Sequence, residues 1–336
     1  MKFFLVLLLI ALLVALISAR PQYYGAIGGL PILAGPSMEW GSFGLWGRQM
    51  TEYPQLAVGL TYMTLTTIFL PIYARVLYIF LRFKKYRSLE CYQIMIQIAL
   101  IQIAAGPGMF LFGLIQVLDS NPGNVATIFA RVISSATRME AVMSLVLALN
   151  RLRIICELEY PVVINKIILV FVWVLGILNY CFLFSPWYGY LVIPGEYLPK
   201  YDFTKSNTLV LQLTGGYIMT GSQCLTFPVY IAIILYIIKS HYKAGSKIVD
   251  SKEKGILFYA ILRFLIDVSI SSFYTFGHLP HIPLIDFPMF TSHIINILGV
   301  PPLLYMAMNR TLRMEFLGIS EMTIGVTPIS SIPSNC

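Results

Sequence analysis

The sequence predicts an all-α membrane protein, a bundle of seven transmembrane helices with its N-terminus outside, and three observations carry that expectation. First, the 336 residues are 58% hydrophobic and only 11% charged, with a mean hydropathy of +0.78, whereas roughly a quarter of a soluble domain is charged. Second, seven apolar runs follow one another after the leader, each long enough to cross a hydrocarbon core of about 30 Å at about 1.5 Å per residue. Third, the cations collect on alternate connections. The net charge of +8 therefore belongs to a membrane flank and does not point to nucleic acid.

In chain order, residues 1–19 (MKFFLVLLLIALLVALISA) place one early cation before a Leu-rich stretch that ends in the small residues Ser18 and Ala19. That is the order of a secretory signal peptide. An uncleaved signal anchor is the alternative, because Phe3 to Ala19 approaches the minimum length of about 17 residues for a spanning helix. Residues 20–55 form an extracellular segment rich in Gly and Pro and dotted with Tyr23, Tyr24, Trp40 and Trp46. It is too short to fold alone and is expected to drape over the bundle mouth. The bundle, 56–309, has its runs near Leu56–Phe83, Tyr92–Leu118, Val125–Leu149, Val163–Phe184, Leu209–Ile238, Ile256–Leu279 and Phe287–Met308. Residues 310–336 make a cytoplasmic interfacial helix, with Leu312, Phe316 and Leu317 on one face and Arg310 and Arg313 on another, followed by a short tail.

Orientation follows from the loops. The connections after the first, third and fifth spans carry cations such as Lys84, Lys85, Arg151, Arg153, Lys243 and Lys252, while the opposite connections and the N-terminal segment hold only Arg20, Arg48, Lys200 and Lys205. The basic side is the inner side. The five cysteines are dispersed, without a C-x-x-C pair, so no disulfide framework is expected.

Two motifs add function. The seventh span ends in Pro301-Pro302-Leu303-Leu304-Tyr305. Pro302 removes a helical N–H and kinks the chain, and Tyr305 brings a hydroxyl that needs a partner inside the bundle. The third span closes with Asn150-Arg151-Leu152 and Arg153. Both stretches resemble G-protein-coupled receptors, in which Asn-Pro-x-x-Tyr ends the last helix and an acid-Arg-aromatic triplet ends the third. Here Pro301 replaces the asparagine and Asn150 the acid, so no adjacent carboxylate locks Arg151. The bland alternative makes Arg151 and Arg153 ordinary inner-flank cations.

The stretches ECYQIMIQIALIQ, LVLALNRLRII, SPWYGYLVIPGEY and INILGVPPLLYMAMNRTLR are more closely similar to nematode serpentine chemoreceptors, class T of the gamma-type superfamily. The similarity runs from about Tyr53 to Glu315. It implies a plasma-membrane receptor of sensory neurons that couples small environmental molecules to a heterotrimeric G protein, with no cofactor and no metal. Rhodopsin-like receptors usually tie the outer end of the third span to the second outer loop by a disulfide. Residues Val125 to Ser135 contain no cysteine, so that loop is held differently or moves.

Ionisable groups inside spans are functional candidates by default. Thr127, Arg131, Ser134 and Arg138 recur at helical spacing, which predicts a polar stripe facing the bundle interior. Counted from the inner ends at about 1.5 Å per residue, Arg138 and Asp267 share one level and Glu140 and Arg263 a lower one. Two cross-helix pairs are expected, Arg138 with Asp267 and Glu140 with Arg263; an Arg263–Asp267 pair at i,i+4 competes with them. Arg131 anchors an acidic or carbonyl-bearing ligand or else snorkels to head groups. Ser134, Gln212, Gln223, Tyr274 and His293 complete the candidate ligand site or simply pack. A ligand-gated channel or transporter is the rival function, against which stands the lack of an internal repeat. A zinc hydrolase would need His278, His281, Asp286 and His293 together, and the first two fall in a Pro-rich loop.

Overall fold

A computed structural model describes residues 44–158, 162–244, 261–269 and 283–318. The signal peptide, most of the N-terminal segment, the loop 245–260, Tyr274, His278, His281 and the tail lie outside these residues. The helices are α1 (Gly44–Arg82), α2 (Lys84–Arg87), α3 (Glu90–Leu118), α4 (Val125–Ile155), α5 (Val162–Phe182) and α6 (Thr208–Ala244). They continue with α7 (residues 261–269), α8 (Pro283–Ile294), a π-turn (Ile295–Gly299), α9 (Val300–Met308) and α10 (Arg310–Leu317). Among the described residues six helical stretches are long and apolar enough to cross a membrane, and the α7 residues fall within the remaining expected run.

The burial of these spans sorts them by position. In the most apolar windows of α3 and α4, 61% of residues are buried, against 22% in α5. Thus α3 and α4 form the centre. The outward face of α5 presents Val163, Ile167, Val170 and Phe171, a pattern suited to lipid rather than water. Close crossings are set by glycine. A Cβ on Gly59 of α1 would sit 2.7 Å from the Gly113 carbonyl of α3, and one on Gly113 would sit 2.8 Å from the Gly59 carbonyl. Small residues let backbones meet where no hydrophobic force drives helices together.

Three helices run further than the sequence suggested, α6 among them, which continues to Ala244. The first begins at Gly44, inside the stretch expected to be irregular, because an established span extends at one hydrogen bond per added residue. For the same reason α4 continues to Ile155, which puts Arg151 and Arg153 on its last turns.

The last span bends by a defined device. Pro301 and Pro302 open α9, where their missing N–H groups interrupt the ladder. Just before them the chain relaxes into the π-turn, in which the Val300 N–H donates to Ile295 O, five residues back. An α-helix would have sent that donor to Asn296 O. The Asn296 carbonyl is thereby released for another partner.

Short strands β1 (Tyr190–Leu191) and β2 (Lys200–Tyr201) pair antiparallel, Tyr190 opposite Tyr201 and Leu191 opposite Lys200. This hairpin lies at one end of the bundle; Arg82, Lys84, Lys85, Arg151, Arg153 and α10 lie at the other, the basic end. A Gln116 clamp holds the hairpin: its Nε2 donates to Glu196 O at 2.7 Å, and its Oε1 accepts from Gly195 N at 2.9 Å. The Tyr62 hydroxyl adds a bond to Tyr197 O at 3.0 Å. These contacts do the work that a disulfide would do.

At the basic end α10 is capped by Asn309, whose side chain accepts from Leu312 N, and stopped by Gly318 at φ 72°. Arg75 donates twice to Phe316 O, at 3.0 and 3.2 Å, and Glu315 meets both Lys85 and the Tyr86 hydroxyl. Burial and then the neighbouring Glu315 carboxylate push the Tyr86 phenol well above its ordinary value, so it stays a donor. The amphipathic helix expected over 310–317 is thus tied to the first spans as well as lying along the bundle end.

Candidate functional site

A buried polar chain crosses the bundle between the hairpin end and the basic end. From α1 the Tyr73 hydroxyl donates to Gln102 on α3, and the Gln102 amide donates to the Glu140 carboxylate on α4. Arg263 on α7 pairs with that carboxylate. Its Nε lies 3.1 Å from Asp267 Oδ2, and its Nη1 donates to Asn296 through both the side-chain oxygen, at 2.9 Å, and the carbonyl freed by the π-turn. The Asn296 amide closes the circuit on Asp267 Oδ1 at 2.7 Å. Tyr73, Gln102, Glu140, Arg263 and Asn296 are all buried. Such a chain locks five spans in one arrangement, because each lost member strands a polar group away from water.

The structure brings Glu140 and Arg263 together and adds the i,i+4 contact to Asp267 rather than choosing between them. It does not bring Arg138 to Asp267. The reason is helical geometry: residues two apart on a helix point to nearly opposite sides, so Arg138 and Glu140 of α4 cannot both reach α7. Glu140 faces α3 and α7. Arg138 turns instead to Asn179 on α5, to the Tyr201 hydroxyl of the hairpin at 2.7 Å, and to Leu211 O on α6 at 3.3 Å. Arg138 therefore points into the packed junction of α4, α5 and α6 and not toward α7.

The candidate ligand residues are not gathered round one cavity. Arg131 stacks its guanidinium over Phe184, 4.4 Å from the ring centre, and Ser134 is buried beside it on α4. Gln212 and Gln223 are half-buried on α6. His293 on α8 approaches Thr137 Oγ1 at 3.4 Å. A small cavity lies elsewhere, next to the Arg263–Asp267 pair, walled by Ser144, Leu147, Thr226 and Tyr230. Among the described residues no three His, Cys, Asp or Glu side chains come within reach of a common metal ion.

At the basic end Glu90, the first residue of α3, takes the place of the missing acid but binds the neighbours of Arg151. It accepts from Asn150 Nδ2 at 2.9 Å and pairs with Arg153. Arg151 itself is 2% exposed, and its Nε and Nη2 have no hydrogen-bond partner. Tyr305 is buried nearby in the aromatic cluster of this end, its ring 5.4 Å from that of Phe80 and edge-on to it. Pro302 is buried at the start of the same helix.

No family-level description and no individual curated protein matches the chain. Among solved structures squid rhodopsin does, with a TM-score of 0.65 at 13% identity, over 80% of this chain and 85% of that one. The fold is that of rhodopsin. With the fold assigned, α7 takes the place of the sixth span, and α8, the π-turn and α9 together make the seventh.

Several residues of the polar chain and of the Arg138 group escaped the sequence reading. Gln102, Asn296 and Asn179 are neutral, and a search restricted to ionisable side chains passes over them. Each nevertheless interrupts a strongly apolar span, in IALIQIAAG, HIINILG and GILNYC. An amide in such a run needs a buried partner as surely as a charge does. Glu90 was visible as the acid opening the second span, but nothing in the sequence brings it to Asn150.

Proposed function

We propose that the protein is a G-protein-coupled chemosensory receptor of the plasma membrane, with its N-terminus outside and its basic end in the cytoplasm. A small environmental molecule binds toward the hairpin end, and a heterotrimeric G protein docks at the basic end. The motifs that resemble nematode class T receptors support the chemosensory part and a place in sensory neurons. The rhodopsin fold supports the receptor part.

Arg151 carries the proposal. A buried guanidinium with two free nitrogens is a donor held ready for an acceptor that arrives from outside the chain, since leaving it unfilled costs more than an exposed donor would. Glu90 keeps Asn150 and Arg153 in place without satisfying Arg151. Opening this end by moving α7 away from α4 has to break the Glu140–Arg263 pair, so the polar chain is the latch that holds the closed state.

The test is second-messenger output in cells that express the wild type and Arg151→Ala at matched surface levels, across a panel of volatile and water-soluble compounds. A response lost with Arg151→Ala and with G-protein blockade is expected. A ligand-evoked current that survives the blockade would replace the receptor with a channel.

A further inference from the structure

Among the described residues the two arginines of the α4 stripe, buried Arg138 and half-buried Arg131, have no acid within ion-pair distance, as Arg151 has none at the basic end. Arg138 is 92% buried, since 8% of its surface is exposed, and its hydrogen-bond acceptors are an amide oxygen, a phenol and a backbone carbonyl. Arg131 contacts a ring, and its buried Nε has no partner. Of the described acids toward the hairpin end, Asp119 accepts from Gln55, Glu196 pairs with Lys200, Asp202 accepts from Thr204, and Asp286 is buried in the first turn of α8. Between Asp267 and Asp286 the sequence contains no Asp or Glu at all. Among the described residues, then, two guanidinium charges sit in a membrane span without an ion-pair partner, and an ionisable group inside a span is a functional candidate by default.

The surroundings of Arg138 are shaped for it. Gly215 on α6 leaves the room it occupies, because a Cβ there would stand 2.4 Å from its Nε. The Ser135 hydroxyl accepts from Asn179 Nδ2 at 2.8 Å, which turns the Asn179 carbonyl oxygen toward the guanidinium. Only the Tyr201 hydroxyl comes from outside the spans, from β2. Arg131 lies seven residues, or about two turns, nearer the hairpin on the same face.

We propose that the junction around Arg138 is the receptor's ligand site and that its ligands are small organic carboxylates, which bind Arg138 in place of the Tyr201 hydroxyl; the inference rests on the receptor reading above. A carboxylate matches the planar guanidinium with two parallel hydrogen bonds, where the phenol supplies one. Arg131 draws the anion in along the path. Displacing Tyr201 pulls on β2, so binding is read out first in the hairpin.

The experiment uses the full chain in nanodiscs of neutral phosphatidylcholine. Binding of butyrate, hexanoate and benzoate is measured by thermal shift beside the corresponding amides and sodium chloride. The acids are expected to stabilise the protein and the amides and chloride to leave it unchanged. Arg138→Gln is expected to weaken the acids at least about tenfold. Tyr201→Phe, which keeps every charge and deletes the internal competitor, is expected to tighten them several-fold, and it decides the matter if Arg138→Gln does not fold. Amides that bind as well as acids, chloride that stabilises equally, or a Tyr201→Phe protein with unchanged affinity would each overturn the carboxylate site. Acid binding of the expected kind without any second-messenger output would sink the receptor reading and leave the site standing. Output from neutral compounds that Arg138→Gln leaves intact would do the reverse.

Discussion

Arg263→Gln and Glu140→Gln remove the two halves of one buried ion pair, yet the structure makes their costs unequal. The guanidinium of Arg263 serves two carboxylates, Glu140 and Asp267, and both acceptors of Asn296. Without it two acids remain in the bundle with no counter-charge. Removing one partner of a buried pair costs about 3–5 kcal/mol, and the doubled excess charge puts Arg263→Gln at the upper end. Glu140→Gln is milder. The new amide still accepts from Gln102 and Arg263, and Arg263 keeps Asp267. The loss is the difference between a charge-assisted and a neutral hydrogen bond, about 1–2 kcal/mol. In thermal unfolding of the purified protein in nanodiscs, at about 2–4 °C per kcal/mol, the midpoint should fall about 8–20 °C for Arg263→Gln and about 2–8 °C for Glu140→Gln. Adding Glu140→Gln and Asp267→Asn to Arg263→Gln removes both stranded charges and should restore much of the loss. Equal losses in the two single variants, or no recovery in the triple variant, would refute the charge ledger of this site.

Three further outcomes are expected. Gly113→Val should lower the melting midpoint by the equivalent of about 1–3 kcal/mol, since even a Cβ at that position meets the Gly59 carbonyl at 2.8 Å. Gln116→Ala should speed hydrogen exchange at the Gly195 amide several-fold, because that amide donates to Gln116 Oε1. The Thr204 hydroxyl, followed by the Thr204 N–H, lowers the half-buried Asp202 carboxyl below its ordinary range. A group depressed in the folded state stabilises above its unfolded value and loses that contribution as pH falls through the folded one. Acidification below the normal Asp range should therefore loosen the 202–204 turn reversibly, and Asp202→Asn should remove the pH dependence seen at the Thr204 amide by NMR.

The fold was legible because a membrane makes sequence simple. Apolar runs have to be long and backbone groups have to be satisfied within helices, so the spans could be counted even where α1 and α4 proved longer than their apolar cores. Pair geometry was less legible. Depth along a helix follows from counting, and it correctly put Glu140 level with Arg263. Rotation about the helix also follows from counting, and it forbids Arg138 and Glu140 from sharing a partner helix, but the depth estimate took no account of it. The π-turn was out of reach. Pro301 and Pro302 announced a break, but which carbonyl it would release, and that Arg263 would take it, depends on how the fifth, sixth and seventh spans pack.

The rotation that separated the two expected pairs also gives α4 its mechanical meaning. One turn of one helix presents Arg138 to the hairpin side and Glu140 to the latch. Close-packed helices shift as rigid bodies between discrete arrangements, so a displacement that improves the contacts of Arg138 is passed undiminished to Glu140, two residues away. Ion pairs and hydrogen bonds at contact distance weaken steeply when stretched. In the receptor proposed above, a small movement of α4 toward an acceptor bound between α5 and α6 would thus trade the Glu140–Arg263 pair for an open basic end. The coupling needs no pathway through intervening side chains, only the stiffness of a helix whose opposite faces carry opposite charges.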